Sequence, residues 1–127
     1  MEELIVTMVF IVDDSNALRE QLAKMISEIK GVKISGQAQN VAQAIEGIRN
    51  LKPGLVILDI QIPGGSGIDV LRTIKQDGYP IVVLMLTNHP HPQYRKKCME
   101  LGADYFLDKS RDIDKVRQIL RHFFEKF

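Results

Sequence analysis

The sequence has no tryptophan and only one cysteine, yet neither scarcity leaves it short of material for a core. Cys98 cannot close an internal disulfide, and a single thiol excludes the paired-cysteine zinc patterns. The three histidines offer no metal-ligand set either. His89 and His91 alternate with Pro90 and Pro92, which reads as a stiff loop lacking a third ligand at a recognisable spacing. An excess of one charge is also missing: 17 basic residues against 16 acidic ones leave +1 without a long like-charge block. Composition therefore points to neither nucleic acid nor a membrane surface as partner. The apolar run from Leu4 to Val12 is too short to cross a bilayer as a helix, and Glu2 and Glu3 precede it in place of a basic signal-peptide flank. What is present is an ordinary globular balance, 45% hydrophobic and 26% charged over 127 residues. A chain of this length removes about two-thirds of its unfolded surface from water, so one domain over residues 1–127 can fold without staples. At this length an output domain is not expected.

The Leu4–Val12 run is rich in residues that favour strands and stops at Asp13 and Asp14, where charge could not stay inside a core. Similar runs return at Val32–Ala38, Leu55–Leu58 and Ile81–Leu86, with a shorter one at Tyr105–Leu107. Each is near-continuously apolar, as strands covered on both faces are. Between them the apolar period becomes helical: Leu18, Leu22, Met25, Ile26 and Ile29; Val41, Ala44, Ile45 and Ile48; Ile68, Val70, Leu71 and Ile74; Tyr94, Cys98 and Leu101; and Ile113, Val116, Leu120, Phe123, Phe124 and Phe127. Gly31, Gly78 and Gly102 follow three of these patterns, where a left-handed cap is expected. Strands alternating with helices predict an α/β fold, a parallel sheet with helices on both sides. Such sheets bind ligands beyond the carboxyl ends of their strands.

Those ends carry the chemistry. The first strand runs into Asp13 and Asp14, the third into Asp59, the fourth into Thr87 and the fifth into Lys109. Two carboxylates about 5 Å apart repel by roughly 3 kcal/mol at an effective dielectric of 20, and a third adds to the cost. A hard divalent cation offsets this, and magnesium suits carboxylates together with a backbone carbonyl. A cation facing a carboxylate, with an ammonium and a hydroxyl nearby, is also a receptor for a phosphoryl group. The nucleophile in such a site is a carboxylate.

The segments Ile11-Val12-Asp13-Asp14, Leu55 through Pro63 followed by Gly67, Leu86-Thr87, and Gly102-Ala103-Asp104 with Lys109 resemble those of two-component response regulator receiver domains, specifically the single-domain chemotaxis-regulator-like type. The resemblance covers almost the whole chain. It implies a flavodoxin-like, doubly wound sheet of five parallel strands in the order 2-1-3-4-5 with five helices. It also implies a cytoplasmic phosphorelay switch with Mg2+ as cofactor, whose only chemistry is self-catalysed transfer to Asp59 and autodephosphorylation. Asp59 is then the acceptor of phosphate from a sensor histidine kinase or a histidine phosphotransfer protein. Asp14 and Asp59 ligate the metal directly, Gln61 through its backbone carbonyl and Asp13 through a water. Thr87 and Lys109 contact the phosphoryl oxygens, Phe106 holds the aromatic switch position, and the helix 4/strand 5/helix 5 face meets a downstream protein. Gln61 and His89 occupy positions that tune phosphate lifetime.

Some residues depart from the pattern. Ser110 follows Lys109 where the family usually has a cis-proline, and a cis bond before a non-proline residue costs about 3 kcal/mol, which leaves the turn unspecified. Asn88 replaces a small residue after Thr87, and Phe106 lacks the hydroxyl of a tyrosine. Gly64-Gly65-Ser66-Gly67 lacks the residues that complete a nucleotide P-loop and reads as a flexible turn into the third helix at Ser66 or Gly67. Arg95, Lys96 and Lys97 read as a solvated face. Two other readings stand beside the switch: a degenerate receiver that binds partners without phosphorylation, and an aspartate-nucleophile phosphatase. The latter ordinarily needs a second acid where this chain has Gln61, and a cap domain.

Overall fold

The aliphatic runs become β1 (Thr7–Val12), β2 (Val32–Ala38), β3 (Leu55–Leu58), β4 (Val82–Thr87) and β5 (Tyr105–Asp108) in the computed structural model, which describes residues 6–125. Every adjacent pair is parallel, and the sheet order is β2-β1-β3-β4-β5, as expected. The crossovers are α1 (Asn16–Ser27), α2 (Val41–Leu51), α3 (Gly67–Gln76) and α4 (Pro92–Glu100), and α5 (Ile113–Glu125) closes the described chain. Boundaries shift slightly from the sequence reading. Leu4 lies outside the described residues, and Thr7, the first residue of β1, pairs with Val32. The fourth strand starts at Val82 instead of Ile81 and takes in Thr87, because Thr87 still pairs with Asp108. Phe127 and the side chain of Phe124 also lie outside the description.

Alternation along the strands divides the core into two. Val9 and Ile11 face α1 and α5, where they join Leu22, Met25, Ile26, Val116 and Leu120. Phe10 and Val12 face the other helices, with Ala44 and Ile48 of α2, Val70, Leu71 and Ile74 of α3, and Cys98 of α4. Burying one such side chain contributes about 1.5–3 kcal/mol, so these two apolar layers are what hold the strand ends in place. Cys98 serves only as packing there: burial pushes its thiol up to about 11, so it stays protonated at neutral pH.

Phe10 shapes one of the layers. A β-bulge in β2, opposite the Val9–Phe10 step of β1, brings Gly36 under its ring, and Gly47 of α2 approaches from the other element. A Cβ at position 36 or 47 would meet ring atoms at 2.8 or 2.6 Å. Glycine at both positions makes room for the aromatic.

Ser15, Asn40 and Ser66 cap α1, α2 and α3 by accepting hydrogen bonds from Leu18, Gln43 and Ile68 backbone N–H groups. Gly31, Gly78 and Gly102 all take positive φ, as expected after helices. The end of α2 was not legible in this way, since the left-handed cap is Lys52 at φ 46. The stretch read as a flexible turn is a short antiparallel hairpin, Gln61–Ile62 against Gly65–Ser66. Its far end becomes the capping box of α3, in which Asp69 Oδ2 accepts the Ser66 N–H at 3.0 Å.

Candidate functional site

Asp13, Asp59 and Lys109 are each held by one backbone bond just beyond a strand. Asp13 N–H donates to Ala38 O at 3.1 Å, Asp59 N–H to Val12 O at 3.0 Å, and Lys109 N–H to Thr87 O at 2.9 Å. The ladder therefore carries its register into the rim, and because β1 and β3 are neighbours, Asp13 and Asp59 are brought together. One oxygen from each of Asp13, Asp14 and Asp59 falls within 4.8 Å of the others. Gly67 closes the back of the site: its N–H donates to Ile60 O at 2.7 Å, and a Cβ there would lie 1.8 Å from Asp59 O.

Lys109 links the two buried carboxylates, with Nζ 2.6 Å from Asp13 Oδ2 and 2.8 Å from Asp59 Oδ2. Asp13 and Asp59 are 2% and 5% exposed, so the ion pairs sit largely out of water. Burial is the strongest influence on Asp59 and raises its carboxyl above the ordinary range; Lys109 pulls it down by hydrogen bond and charge, and Asp13 pushes it up. Burial would lower the Lys109 ammonium, but its hydrogen bonds and charge contacts with Asp13 and Asp59 outweigh that and leave it raised. One ammonium faces three carboxylates, a shortfall of positive charge. The other oxygen of Asp59, Oδ1, is buried and has no hydrogen-bond partner. A buried charged acceptor left unpaired costs more than about 1–3 kcal/mol, so this atom is where a ligand would gain most.

An open cleft of about 560 Å³ lies over Asp59, lined by Asp14, Gln61, Asn88, His89, Tyr94 and Lys109 among others. Of the residues singled out from sequence, Asp14, Asp59, Gln61, His89 and Lys109 thus meet at one cleft. Asp13 lies beneath it as the partner of Lys109. Thr87 ends the adjacent strand but is fully buried and absent from the lining, its Oγ1 accepting the His89 N–H at 3.0 Å. Phe106 is set apart. It packs in the core beside Cys98, 7% exposed, under the Arg95 guanidinium at 5.9 Å. Arg95 Nη1 also donates to Phe106 O at 3.3 Å, so this arginine is more than part of a solvated face. Tyr94, read as a core position, both packs on the core and lines the cleft.

The turn after Lys109 contains no cis peptide, and none occurs among the described residues. Asp108 Oδ1 accepts the Ser110 N–H at 2.9 Å and its hydroxyl at 2.7 Å, while Asp112 Oδ2 accepts the Asp108 N–H at 2.9 Å. Side-chain bonds to backbone do here what ring geometry would do with proline. The Asp108–Asp112 spacing and Ser110 were the available signal.

A family model described as the response regulator receiver domain matches residues 9–121. The chain belongs to that family. This receiver domain is 34% identical over 113 residues to protein-glutamate methylesterase/protein-glutamine glutaminase 1 of Methanospirillum hungatei, covering 87% of this chain and 33% of that protein. It is 27% identical over 116 residues to response regulator GacA of Pseudomonas aeruginosa, covering 91% of this chain and 54% of the relative. It thus spans about a third to a half of the length of these relatives. Among solved structures it resembles the CheX-CheY-BeF3-Mg complex from Borrelia burgdorferi, at TM-score 0.85 and 30% identity over 94% of this chain and 90% of that one. A DNA-binding response regulator of the LuxR family from Staphylococcus aureus matches at TM-score 0.86 and 28% identity, covering 94% of this chain and 99% of that one. Receiver domains act generally as switches of two-component signalling and bind Mg2+ at a cluster of acidic residues. The methylesterase activity belongs to a relative of which this chain spans one third. No helix among the described residues is long and apolar enough to cross a membrane.

The donor set fits that ion: oxygen ligands only, on three carboxylates within reach of one another, and an unpartnered buried oxygen on Asp59. Hard oxygen donors with room for retained water are what magnesium selects.

Proposed function

We propose that this receiver domain is a magnesium-dependent switch in which Asp59 accepts a phosphoryl group from a phosphohistidine of a sensor kinase or phosphotransfer protein, a reading that carries a cytoplasmic location with it. The observation that carries this proposal is the state of the Asp59 carboxylate: buried, one oxygen on Lys109, the other unpartnered beneath an open cleft. Asp14, Asp59 and the Gln61 backbone carbonyl would hold the ion, with Asp13 joined through a water. When bound, Mg2+ supplies the positive charge that a dianionic phosphoryl group and three carboxylates require. An Asp59 oxygen attacks phosphorus, forming an acyl phosphate, as the P–N bond to the donor imidazole breaks and that ring takes up a proton. Lys109 neutralises a phosphoryl oxygen, and Thr87, whose hydroxyl is an acceptor toward His89, keeps its own proton to donate.

Hydrolysis returns Asp59 to the carboxylate when water attacks phosphorus along the open side. Gln61 is exposed and His89 half-buried at that side, so their side chains set how water approaches. Output runs through α4, β5 and α5. Phe106, three residues from Lys109, borders a cleft of about 230 Å³ with Arg95, Arg111 and Lys115, so a change at Lys109 adjoins a surface a protein target could sense.

Incubation with acetyl phosphate and magnesium followed by intact mass is expected to show one acid-stable, base-labile phosphoryl adduct, absent in Asp59→Asn and without EDTA-resistant formation. No adduct would favour the phosphorylation-independent module. Turnover of many small phosphate esters would favour the phosphatase, although position 61, where that class carries its second acid, is glutamine.

A further inference from the structure

We infer that Arg19 is a positioning residue for the divalent cation, fixing the peptide between Asp13 and Asp14 and thereby the presentation of both carboxylates. The inference rests on the cation-dependent reading above. Arg19 lies in the first turn of α1, four residues after the N-cap Ser15, where the helix macrodipole disfavours a cation. Its place there needs another reason. The side chain is half-buried, not extended into water. Nη1 donates to the Asp13 carbonyl at 2.7 Å and Nη2 to Asn16 Oδ1 at 3.1 Å, so two arms of the planar fork are occupied.

The carbonyl it holds belongs to the Asp13–Asp14 peptide. Asp13 is independently fixed, since its N–H reaches Ala38, its Oδ1 accepts the Ser15 N–H at 2.8 Å, and its Oδ2 binds Lys109. Asp14 is exposed and follows directly, so its carboxylate takes its direction from the backbone that carries it. Turning that one peptide would move the exposed ligand away from Asp59 while leaving the buried ion pairs intact.

Charge and positioning make opposite demands here. Arg19 is a cation next to a site for another cation, so repulsion alone requires its removal to tighten metal binding. Loss of positioning requires the reverse, by about tenfold, as for other groups that orient metal ligands from behind. The full chain would be titrated with magnesium chloride alone by calorimetry, as wild type, Arg19→Ala, Arg19→Lys and Asn16→Ala, with each unfolding midpoint measured in EDTA. The expected result is a Kd raised about tenfold in Arg19→Ala and also raised in Arg19→Lys, which keeps the charge but cannot span both acceptors. Asn16→Ala, which loosens one arm, should raise it less. Equal or tighter binding by the Arg19 variants overturns the inference while the cation reading survives. A wild type that binds no magnesium overturns both, and if Arg19→Ala does not fold, Arg19→Lys and Asn16→Ala decide the matter.

Discussion

At Asp59 the demands of folding run against those of the proposed phosphoryl transfer, because its carboxylate is buried. Its folded carboxyl titrates above the ordinary 3.8, chiefly through burial, so ionising it costs stability: the group's contribution is most favourable below 3.8 and declines as pH rises through the raised value. Asp59→Asn should therefore stabilise the metal-free protein at neutral pH, measured by urea unfolding in EDTA, with the difference shrinking in acid. Lys109 has the opposite sense. Its stabilisation is fully present below the ordinary 10.5 and is lost as pH climbs above 10.5 through the raised folded value. Lys109→Ala strips two buried carboxylates of their partner and should cost about 3 kcal/mol in the same assay, part of it recovered on adding magnesium. These residues were legible in the sequence because one event repeats: an apolar run breaks off into a charge that must leave the core. Arg19 and Tyr94 were not, since a first-turn arginine looks like a solvated face and a tyrosine at helical spacing looks like core. Thr87 was legible as a strand end, but the depth at which it sits depends on packing that no periodicity encodes.

Among the elements, the segment from β3 into α3 does most to place Asp59. Gly67 lies so close to the Asp59 carbonyl that Gly67→Ala must displace one of the two backbones, and the expected loss is about 3 kcal/mol. Asn40→Ala, which removes only the cap of α2, should cost about 1 kcal/mol. Comparing their thermal midpoints tests whether Gly67 is held by close approach; similar losses would refute it. The strands and helices themselves could be read from the change of apolar period, and the parallel arrangement followed from their alternation. The hairpin at Gln61–Ser66 could not, because its pairing is made by backbone over two residues a side and leaves no alternation. Nor could the Lys52 cap, since nothing in a lysine's side chain announces a left-handed backbone.

At the scale of the whole molecule, the sheet gathers repelling charges at one rim and relies on two apolar layers to hold them. A ligand that binds only the folded rim must then stabilise the entire domain. Free magnesium at about 100 times its dissociation constant should add about 2.7 kcal/mol to unfolding, seen as a rise in midpoint that Asp14→Asn abolishes. A midpoint indifferent to magnesium would remove the cation from the account. One of those layers has a further consequence in descent. The Phe10 ring occupies the space that side chains at positions 36 and 47 would need, although the three residues belong to β1, β2 and α2. In lineages sharing this packing, an alanine arising at 36 or 47 should be accompanied by a smaller residue at 10. The three positions should drift as a unit, independently of the carboxylates that follow β1 and β3.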